Sequence, residues 1–337
     1  MKKIGILTSG GDSQGMNNAI RAVTRAGIHN NMTVLGIKNG YQGLIDGDME
    51  ELNIRSVSRI VDRGGTFLMT ARCLEFKEEA GVKKAAQTCR DFGIEGLVVI
   101  GGDGSFRGAL DLSRQGIPVV AMPGTIDNDI GCSDYTIGFD TAVNVAMQAA
   151  DKLRDTSMSH HRCSVVEVMG RNAGWVAVDV ALSVGATYTL VPEVPFQVEQ
   201  IVEKMKMGLS MGKHHFIIVA SEGIFADTKT NTNYEYLQSI GIHSSGDLAK
   251  MLEDLTDVES RHTVLGHIQR GGAPTARDRY LATIMGHRCV QLLAAGQYNR
   301  VVAINEPNII DLPIEEALKM EKPFDKARYD IANEIGI

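Results

Sequence analysis

Short apolar runs that stop at glycine and a polar residue recur along the chain, and each leads into a stretch whose apolar residues fall three and four apart. Ile4 to Thr8 runs into Gly10, Gly11 and Asp12, after which Ala19, Ile20, Val23 and Gly27 share one helical face. Leu97 to Ile100 runs into Gly101-Gly102-Asp103-Gly104-Ser105 and then Ala109, Leu110 and Leu112, while Val119 to Met122 runs into Pro123-Gly124-Thr125. Asp140 is placed to cap a helix carrying Ala142, Val145, Ala146, Ala149 and Leu153. Further on, Val165 to Val168 leads to Met169-Gly170-Arg171, a helix is predicted over Val198 to Leu209, Phe216 to Ala220 leads to Ser221-Glu222-Gly223, and Val264-Leu265 leads to Gly266-His267. Unbroken apolar runs this short fit strands buried on both faces, so the alternation predicts an α/β fold with mostly parallel sheets covered by helices on both sides. Ala226 to Ser260, with its Thr-Lys-Thr-Asn-Thr-Asn cluster and acidic stretch, reads as an exposed, loop-like insertion.

The 337 residues suggest about two domains, and 44% apolar with 22% charged residues is ordinary globular composition. Net charge is −7 and the basic residues are scattered, which argues against nucleic acid and anionic membrane as partners. The five cysteines, Cys73, Cys89, Cys132, Cys163 and Cys289, form no C-x-x-C pair, so neither a disulfide framework nor a zinc site is indicated and a reducing compartment fits. The apolar stretch near the start is too short for a signal peptide and no run approaches the roughly 18 residues of a membrane span, so a cytoplasmic location is expected. His160-His161 and His214-His215 lack metal-ligand spacing with carboxylates, and the 15 methionines and the lone Trp175 read as core filling.

In open parallel sheets the ligand sits beyond the carboxyl ends of the strands, where these polar turns fall. The two Gly-Gly-Asp turns let backbone N–H groups approach phosphate oxygens without Cβ interference, although a single glycine after a strand is commonly a plain tight turn. Neither turn has the G-x-G-x-x-G or G-x-x-x-x-G-K-[ST] pattern. Asp127 and Asp129 form an Asx-type turn on one reading. On another, one carboxylate takes the proton of an attacking hydroxyl while others lie near a hard cation, as phosphoryl transfer requires. Mg²⁺ uses one or two protein carboxylates and completes its shell with phosphates and water, a role that suits Asp103. Arg72, Arg162, Arg171, Arg261, His267 and Arg270 recur at turns; singly each is a solvated charge, but together they look like a receptor for a phosphorylated small molecule.

Thr8 to Asp12, Gly101 to Ser105, Pro123 to Asp129, Met169 to Arg171 and Gly266 to Gly272 together resemble the bacterial ATP-dependent 6-phosphofructokinases, and the resemblance runs the length of the chain. It implies Mg²⁺-assisted transfer of the ATP γ-phosphoryl group to the 1-hydroxyl of fructose 6-phosphate in glycolysis, by a homotetramer of two similar α/β/α domains with the active site in the cleft between them. The implied ATP-binding domain is 1–138 plus 269–319 and the implied fructose 6-phosphate domain is 139–268 plus 320–337.

Matched motif by motif, the resemblance makes Asp127 the general base, has Thr125 and Asp129 support the reacting centre and has Arg171 stabilise the transferring group. It gives Asp103 the Mg²⁺, and gives Gly11, Arg72, Cys73, Gly102, Asp103, Gly104 and Ser105 to ATP. Thr125, Ile126, Asp127, Met169, Gly170, Arg171, Glu222, His267, Ile268, Gln269 and Arg270 fall to the sugar phosphate, with Arg162 and Arg261 reaching in from a neighbouring subunit. Gly104 and Gly124 match the ATP users, whereas a related pyrophosphate branch carries Asp and Lys at these places; glycine at 104 leaves room beside the nucleotide phosphates. Arg21, Arg25, Arg154, Gly185, Lys213 and His215 match the family's allosteric phosphate pocket. Met211 replaces a common arginine and Thr187 a common acidic Mg²⁺ contact there, so a reduced response to ADP or phosphoenolpyruvate is expected. A pyrophosphate-dependent enzyme and a non-catalytic sugar phosphate sensor are the alternatives; intact Asp103, Asp127 and Arg171 argue against the sensor.

Overall fold

The computed structural model describes residues 1–336, so the last position of the expected second domain, 337, lies outside the described residues. The strands are β1 (Lys3–Thr8), β2 (Thr33–Ile37), β3 (Met49–Leu52), β4 (Gly96–Gly101), β5 (Val119–Thr125), β6 (Ile137–Gly138), β7 (Cys163–Val168), β8 (Tyr188–Leu190), β9 (Phe216–Ser221), β10 (Ser260–Val264), β11 (Arg300–Asn305) and β12 (Asn308–Pro313). The helices are α1 (Met16–His29), α2 (Gly40–Asp46), α3 (Glu79–Asp91), α4 (Asp103–Arg114), α5 (Phe139–His160), α6 (Trp175–Val184), α7 (Val198–Ser210), α8 (Tyr234–Ser239), α9 (Ser245–Thr256), α10 (Ala276–Ala294), α11 (Ile314–Ala317) and α12 (Lys326–Glu334). Among the described residues no helix is long and apolar enough to cross a membrane.

Two compact units emerge, the first made of Met1–Thr141 with Arg270–Lys322, the second of Ala142–Gln269 with the residues from Pro323 onward. The first unit holds an eight-stranded sheet in the order β12-β11-β5-β4-β1-β2-β3, with β6 paired to the end of β5. Its middle is parallel and both edges, β3 and β12, run antiparallel. Strands β4 and β5 are buried on both faces, which is why they read as unbroken apolar runs. Alternation sorts their side chains: Ile4, Val98, Ile100, Val120 and Met122 join the core under α1 and α10, while Leu7, Leu97, Val99, Val119 and Ala121 join the core under α2, α3 and α4. Each such aliphatic contributes about 1.5–3 kcal/mol on full burial. After β1 the chain places β2 on one side and β4 on the other, so strand order reverses at the β1/β4 seam. That is where a doubly wound sheet opens a crevice at its carboxyl ends.

The second unit holds four parallel strands in the order β10-β7-β9-β8. Val165, Phe216, Ile218 and Ala220 pack beneath α7 and α9, and α6 with α12 lies against β8 and β9.

Two expectations are corrected here. The stretch 226–260 is no exposed insertion, because α8 and α9 lie within it and Leu237, Ile242, Leu248, Ala249, Leu252 and Val258 belong to the same core as Val165 and Phe216. The buried face of α9 includes the polar residues Ser245 and Thr256, which shortens its apolar signal; Ser244, whose hydroxyl accepts the Asp247 N–H at 3.2 Å, starts the helix. Asp140 does not cap α5, which begins one residue earlier at Phe139; its carboxylate accepts the Thr275 hydroxyl at 2.6 Å.

Candidate active site

At the carboxyl ends of β1 and β4 the two Gly-Gly-Asp turns are tied together. The Ser9 N–H donates to the Ile100 carbonyl at 2.9 Å and the Ser105 hydroxyl donates to the Ser9 carbonyl at 3.1 Å. A Cβ on Gly101 would lie 2.3 Å from the Ser105 Oγ and 2.4 Å from the Ser9 carbonyl, so a side chain there would push the turns apart. Beyond it the chain opens: nothing lies within 4 Å of where a Cβ would stand on Gly102 or Gly104. Those glycines form the N-terminus of α4, where helix geometry leaves N–H groups pointing outward and a partial positive charge suited to phosphate. Asp103, exposed, stands in that first turn.

Around the β1 turn, the Thr70 hydroxyl donates to the Gly10 carbonyl at 2.9 Å and the Thr8 hydroxyl to the Met69 carbonyl at 3.0 Å, strapping the following segment across it. Arg72 extends from this strap and is exposed, and Cys73 is half-buried with its thiol pushed up by burial. Arg270 belongs to this unit. Its guanidinium donates to the Asp12 carbonyl at 2.9 Å and lies 2.8 Å from where a Gly11 Cβ would be.

On the next strand, Asp127 is 6% exposed at the carboxyl end of β5, and its N–H donates to the Thr125 hydroxyl at 3.2 Å. The turn is braced from behind: the Thr136 hydroxyl donates to the Thr125 carbonyl at 2.7 Å, the Thr136 N–H donates to the Asn128 side-chain carbonyl at 3.1 Å, and β6 pairs with Gly124 and Thr125. Asp129 is half-buried. The Ile126 side chain is wholly buried.

A residue absent from the sequence reading underlies the brace. Asp278, wholly buried on α10, accepts the Gly138 N–H at 2.8 Å, the Thr141 N–H at 2.9 Å and the Thr141 hydroxyl. Burial pushes its carboxyl up to about 6, with Asp140 adding to the rise. Its signal was the Thr275-x-x-Asp278 spacing of a helix start.

In the second unit, the Met169–Gly174 turn carries Arg171 at φ 58, a left-handed conformation, next to Gly170 at φ 151. Glu222 Oε1 accepts the N–H groups of Gly170 at 3.2 Å and Arg171 at 2.8 Å, and Gln269 Oε1 accepts that of Met169 at 2.8 Å. Gln269 is 0% exposed and props the turn from within. His267 and Ile268 are exposed. Arg162 pairs with Glu259 at 2.8 Å, and Arg261 pairs with the same carboxylate and with Glu253 at 3.5 Å. The Arg162 hydrogen bond, then the nearby charges, hold Glu259 below the usual carboxylate range.

The expected effector residues fall into two groups. Arg21 and Arg25 lie one turn apart on α1, and burial followed by the Arg25 charge lowers Arg21. In the second unit Arg154, Lys213 and His215 crowd one another near Gly185, the C-cap of α6; burial, then the neighbouring cations, lowers Lys213 and His215. The buried Nε atoms of Arg21, Arg25 and Arg154 have no hydrogen-bond partner among the described residues. Lys213 donates to the Thr187 hydroxyl at 3.4 Å, and Met211 is 73% exposed.

The chain matches the family model for phosphofructokinase over residues 3–293. It is 49% identical over 336 residues to ATP-dependent 6-phosphofructokinase 1 of Clostridium perfringens and 50% identical over 337 residues to the ATP-dependent 6-phosphofructokinase of Alkaliphilus metalliredigens, with 100% of both chains covered in each case. Among solved structures it is similar to the phosphofructokinase of Pichia pastoris in the T-state, with a TM-score of 0.85 and 34% identity, covering 94% of this chain and 35% of that one. A family model matched over most of the length, and half the residues shared end to end with bacterial relatives, place the chain in the phosphofructokinase family.

Proposed function

We propose that the protein transfers the γ-phosphoryl group of ATP to the 1-hydroxyl of D-fructose 6-phosphate, giving ADP and fructose 1,6-bisphosphate. The observation that carries this reading is the adjacency of two strand ends. The bare N-terminus of α4 follows β4, and the inward-lying Asp127 follows β5, its hydrogen-bonded neighbour. One supplies a phosphate cradle made of main chain, the other a carboxylate able to take a hydroxyl proton.

In this mechanism Gly11, Gly102, Gly104 and Ser105 hold the nucleotide phosphates, with Arg72 and Cys73 along the nucleotide. Asp127 accepts the proton from the sugar hydroxyl as its oxygen attacks the γ-phosphorus and the bond to the β-phosphate oxygen breaks. Thr125 and Asp129 keep that carboxylate oriented, and Arg171 stabilises the charge spread over the transferring group. Met169, Gly170, Glu222 and His267 bind the sugar phosphate. The first unit on this reading is the nucleotide domain and the second the sugar phosphate domain.

The residues present fit Mg²⁺. Among the described residues no group of three or more His, Cys, Asp or Glu is assembled for a metal, whereas one exposed carboxylate, Asp103, stands at the open phosphate cradle. When bound with the nucleotide, Mg²⁺ neutralises phosphate charge and lowers the barrier to transfer.

The ATP assignment over pyrophosphate has local support. Space is open at Gly104, while a Cβ on Gly124 would meet the Ile100 Cγ2 at 2.8 Å and the Met16 Cε at 3.1 Å, so the lysine of the pyrophosphate branch would need rearrangement there. A homotetramer in which Arg162 and Arg261 serve a neighbouring subunit completes the proposal, with a weakened effector response at Arg21, Arg25, Arg154, Gly185, Lys213 and His215.

A coupled assay with fructose 6-phosphate and either ATP or pyrophosphate tests it. Turnover with ATP alone is expected; turnover with pyrophosphate overturns the donor, and sugar phosphate binding without turnover overturns catalysis.

A further inference from the structure

We infer that the Thr228–Asn233 turn, with Glu193, exists to position Arg171: it is a clamp that holds the Met169–Gly174 turn in the geometry its guanidinium needs. This rests on the proposed role of Arg171 in charge stabilisation.

The Arg171 turn is secured at successive residues, and beyond Glu222 and Gln269 its anchors come from places with no chemistry of their own. The Thr230 hydroxyl donates to the Asn172 carbonyl at 2.9 Å, and Glu193 Oε1 accepts the Gly174 N–H at 2.8 Å. The two anchors are themselves joined. The Thr232 hydroxyl donates to the Pro192 carbonyl at 3.0 Å, and the buried Asn233 side chain donates to the carbonyls of Val191 and Val194 at 3.1 and 3.0 Å while accepting the Phe196 N–H at 3.0 Å. The polar cluster in 228–233 is thus sewn to both the Arg171 turn and the Glu193 turn. A Cβ on Gly174 would lie 2.4 Å from the Val191 Cγ1 and 2.9 Å from the Glu193 Oε2, so these segments are also in close contact.

Such fastening is needed because Arg171 is a non-glycine residue in the left-handed region, which persists only where its surroundings over-determine it. A guanidinium that must meet developing charge gains from fixed orientation, since misplacement by about 1 Å can cost on the order of 100-fold in rate. Thr230 is exposed, and loss of a surface hydrogen bond of this kind disturbs folding little, so its effect on rate is separable from stability.

Four kinetic variants and an exchange measurement test the clamp. Thr230→Val is expected to lower kcat about 5–20-fold with KM for ATP and fructose 6-phosphate changed less than about twofold, while Thr230→Ser, which restores the hydroxyl, returns kcat to within about twofold of the parent. In an Arg171→Ala background the same Thr230→Val change should cost less than about twofold, because the residue acts through the lost guanidinium. Amide exchange at Gly170, Arg171 and Gly174 should quicken in Thr230→Val, and in Glu193→Ala but not in Glu193→Gln, which keeps the acceptor. Unchanged exchange overturns the clamp whatever the kinetics, and an equal loss with and without Arg171 overturns its action through that residue. If Arg171→Ala itself turns over at the parent rate, the reading of Arg171 fails, and the exchange result still decides whether the turn is clamped.

Discussion

The turn after β4 and the turn after β7 solve opposite problems. The first, Gly101 to Ser105, is held by its own main chain and one serine, and it leaves open space at Gly102 and Gly104. The second, Met169 to Gly174, is filled and fastened by Glu222, Gln269, Thr230 and Glu193. Backbone N–H groups at a helix start are already fixed in direction, so a phosphate cradle needs room and little else. A guanidinium on a long side chain brings rotamer freedom, and its backbone must be pinned before its charge can be aimed. Main-chain recognition is therefore built by omitting side chains, and side-chain recognition by adding them around the one that acts.

The largest break in this comparison is expected at the carboxylate beside the open turn. Asp127→Asn keeps shape and hydrogen-bonding capacity but cannot take the hydroxyl proton, so kcat should fall about 10²–10⁴-fold in the coupled assay with KM for ATP little changed. An unchanged kcat would show that the proton leaves by another route.

Filling the open turn should cost less. Gly104→Asp places a carboxylate within the first turn of α4, where helix propensity and the helix dipole favour it, so thermal stability should hold or rise by about 0.5–1 kcal/mol. The same charge faces the nucleotide phosphates, and repulsion of a few kcal/mol at an intermediate dielectric should raise the KM for ATP about 10–100-fold. A variant that binds ATP normally would mean the phosphates lie elsewhere. Smaller again is Met211→Arg. It adds a cation close in sequence to Lys213, near the crowded Arg154, Lys213 and His215, and should tighten ADP binding about 3–10-fold by titration calorimetry if this cluster is the effector site.

The sequence made the open turn legible and the fastened one only in part. Strand ends and glycine runs are local signals, so the β1, β4 and β5 turns could be read directly. What could not be read is side-chain direction past a strand end: Ile126 and Gln269 lie within recognisable motifs yet point inward. Nor could Thr230 and Glu193 be paired with Asn172 and Gly174, whose positions are 58 and 19 residues away and meet through tertiary folding alone. Helix α9 was hidden for a related reason, since its buried stripe begins and ends on polar Ser245 and Thr256 and leaves only Leu248, Ala249 and Leu252 as apolar signal between them.

Asp278 sharpens the comparison, because it is a fastened point within the otherwise open unit, bracing Gly138 and Thr141 behind the Thr125 turn. Its carboxyl is raised from 3.8 to about 6, mainly by burial, so the folded state binds the proton more tightly than the unfolded chain. This group's contribution is therefore most favourable below about pH 4 and declines as pH rises through 6, a span worth about 3 kcal/mol. Asp278→Asn has no proton to gain. At pH 7 one of the two backbone N–H groups that the carboxylate oxygens accept, from Gly138 and Thr141, faces the variant's amide nitrogen, which cannot accept it, so a cost of about 1–3 kcal/mol is expected. At pH 4.5 the parent has recovered about 2 kcal/mol from protonation and the variant has not, so the variant's deficit in urea unfolding should widen by that amount. Parallel stability curves for the two proteins between pH 7 and 4.5 would show that the brace does not depend on the charge state of Asp278.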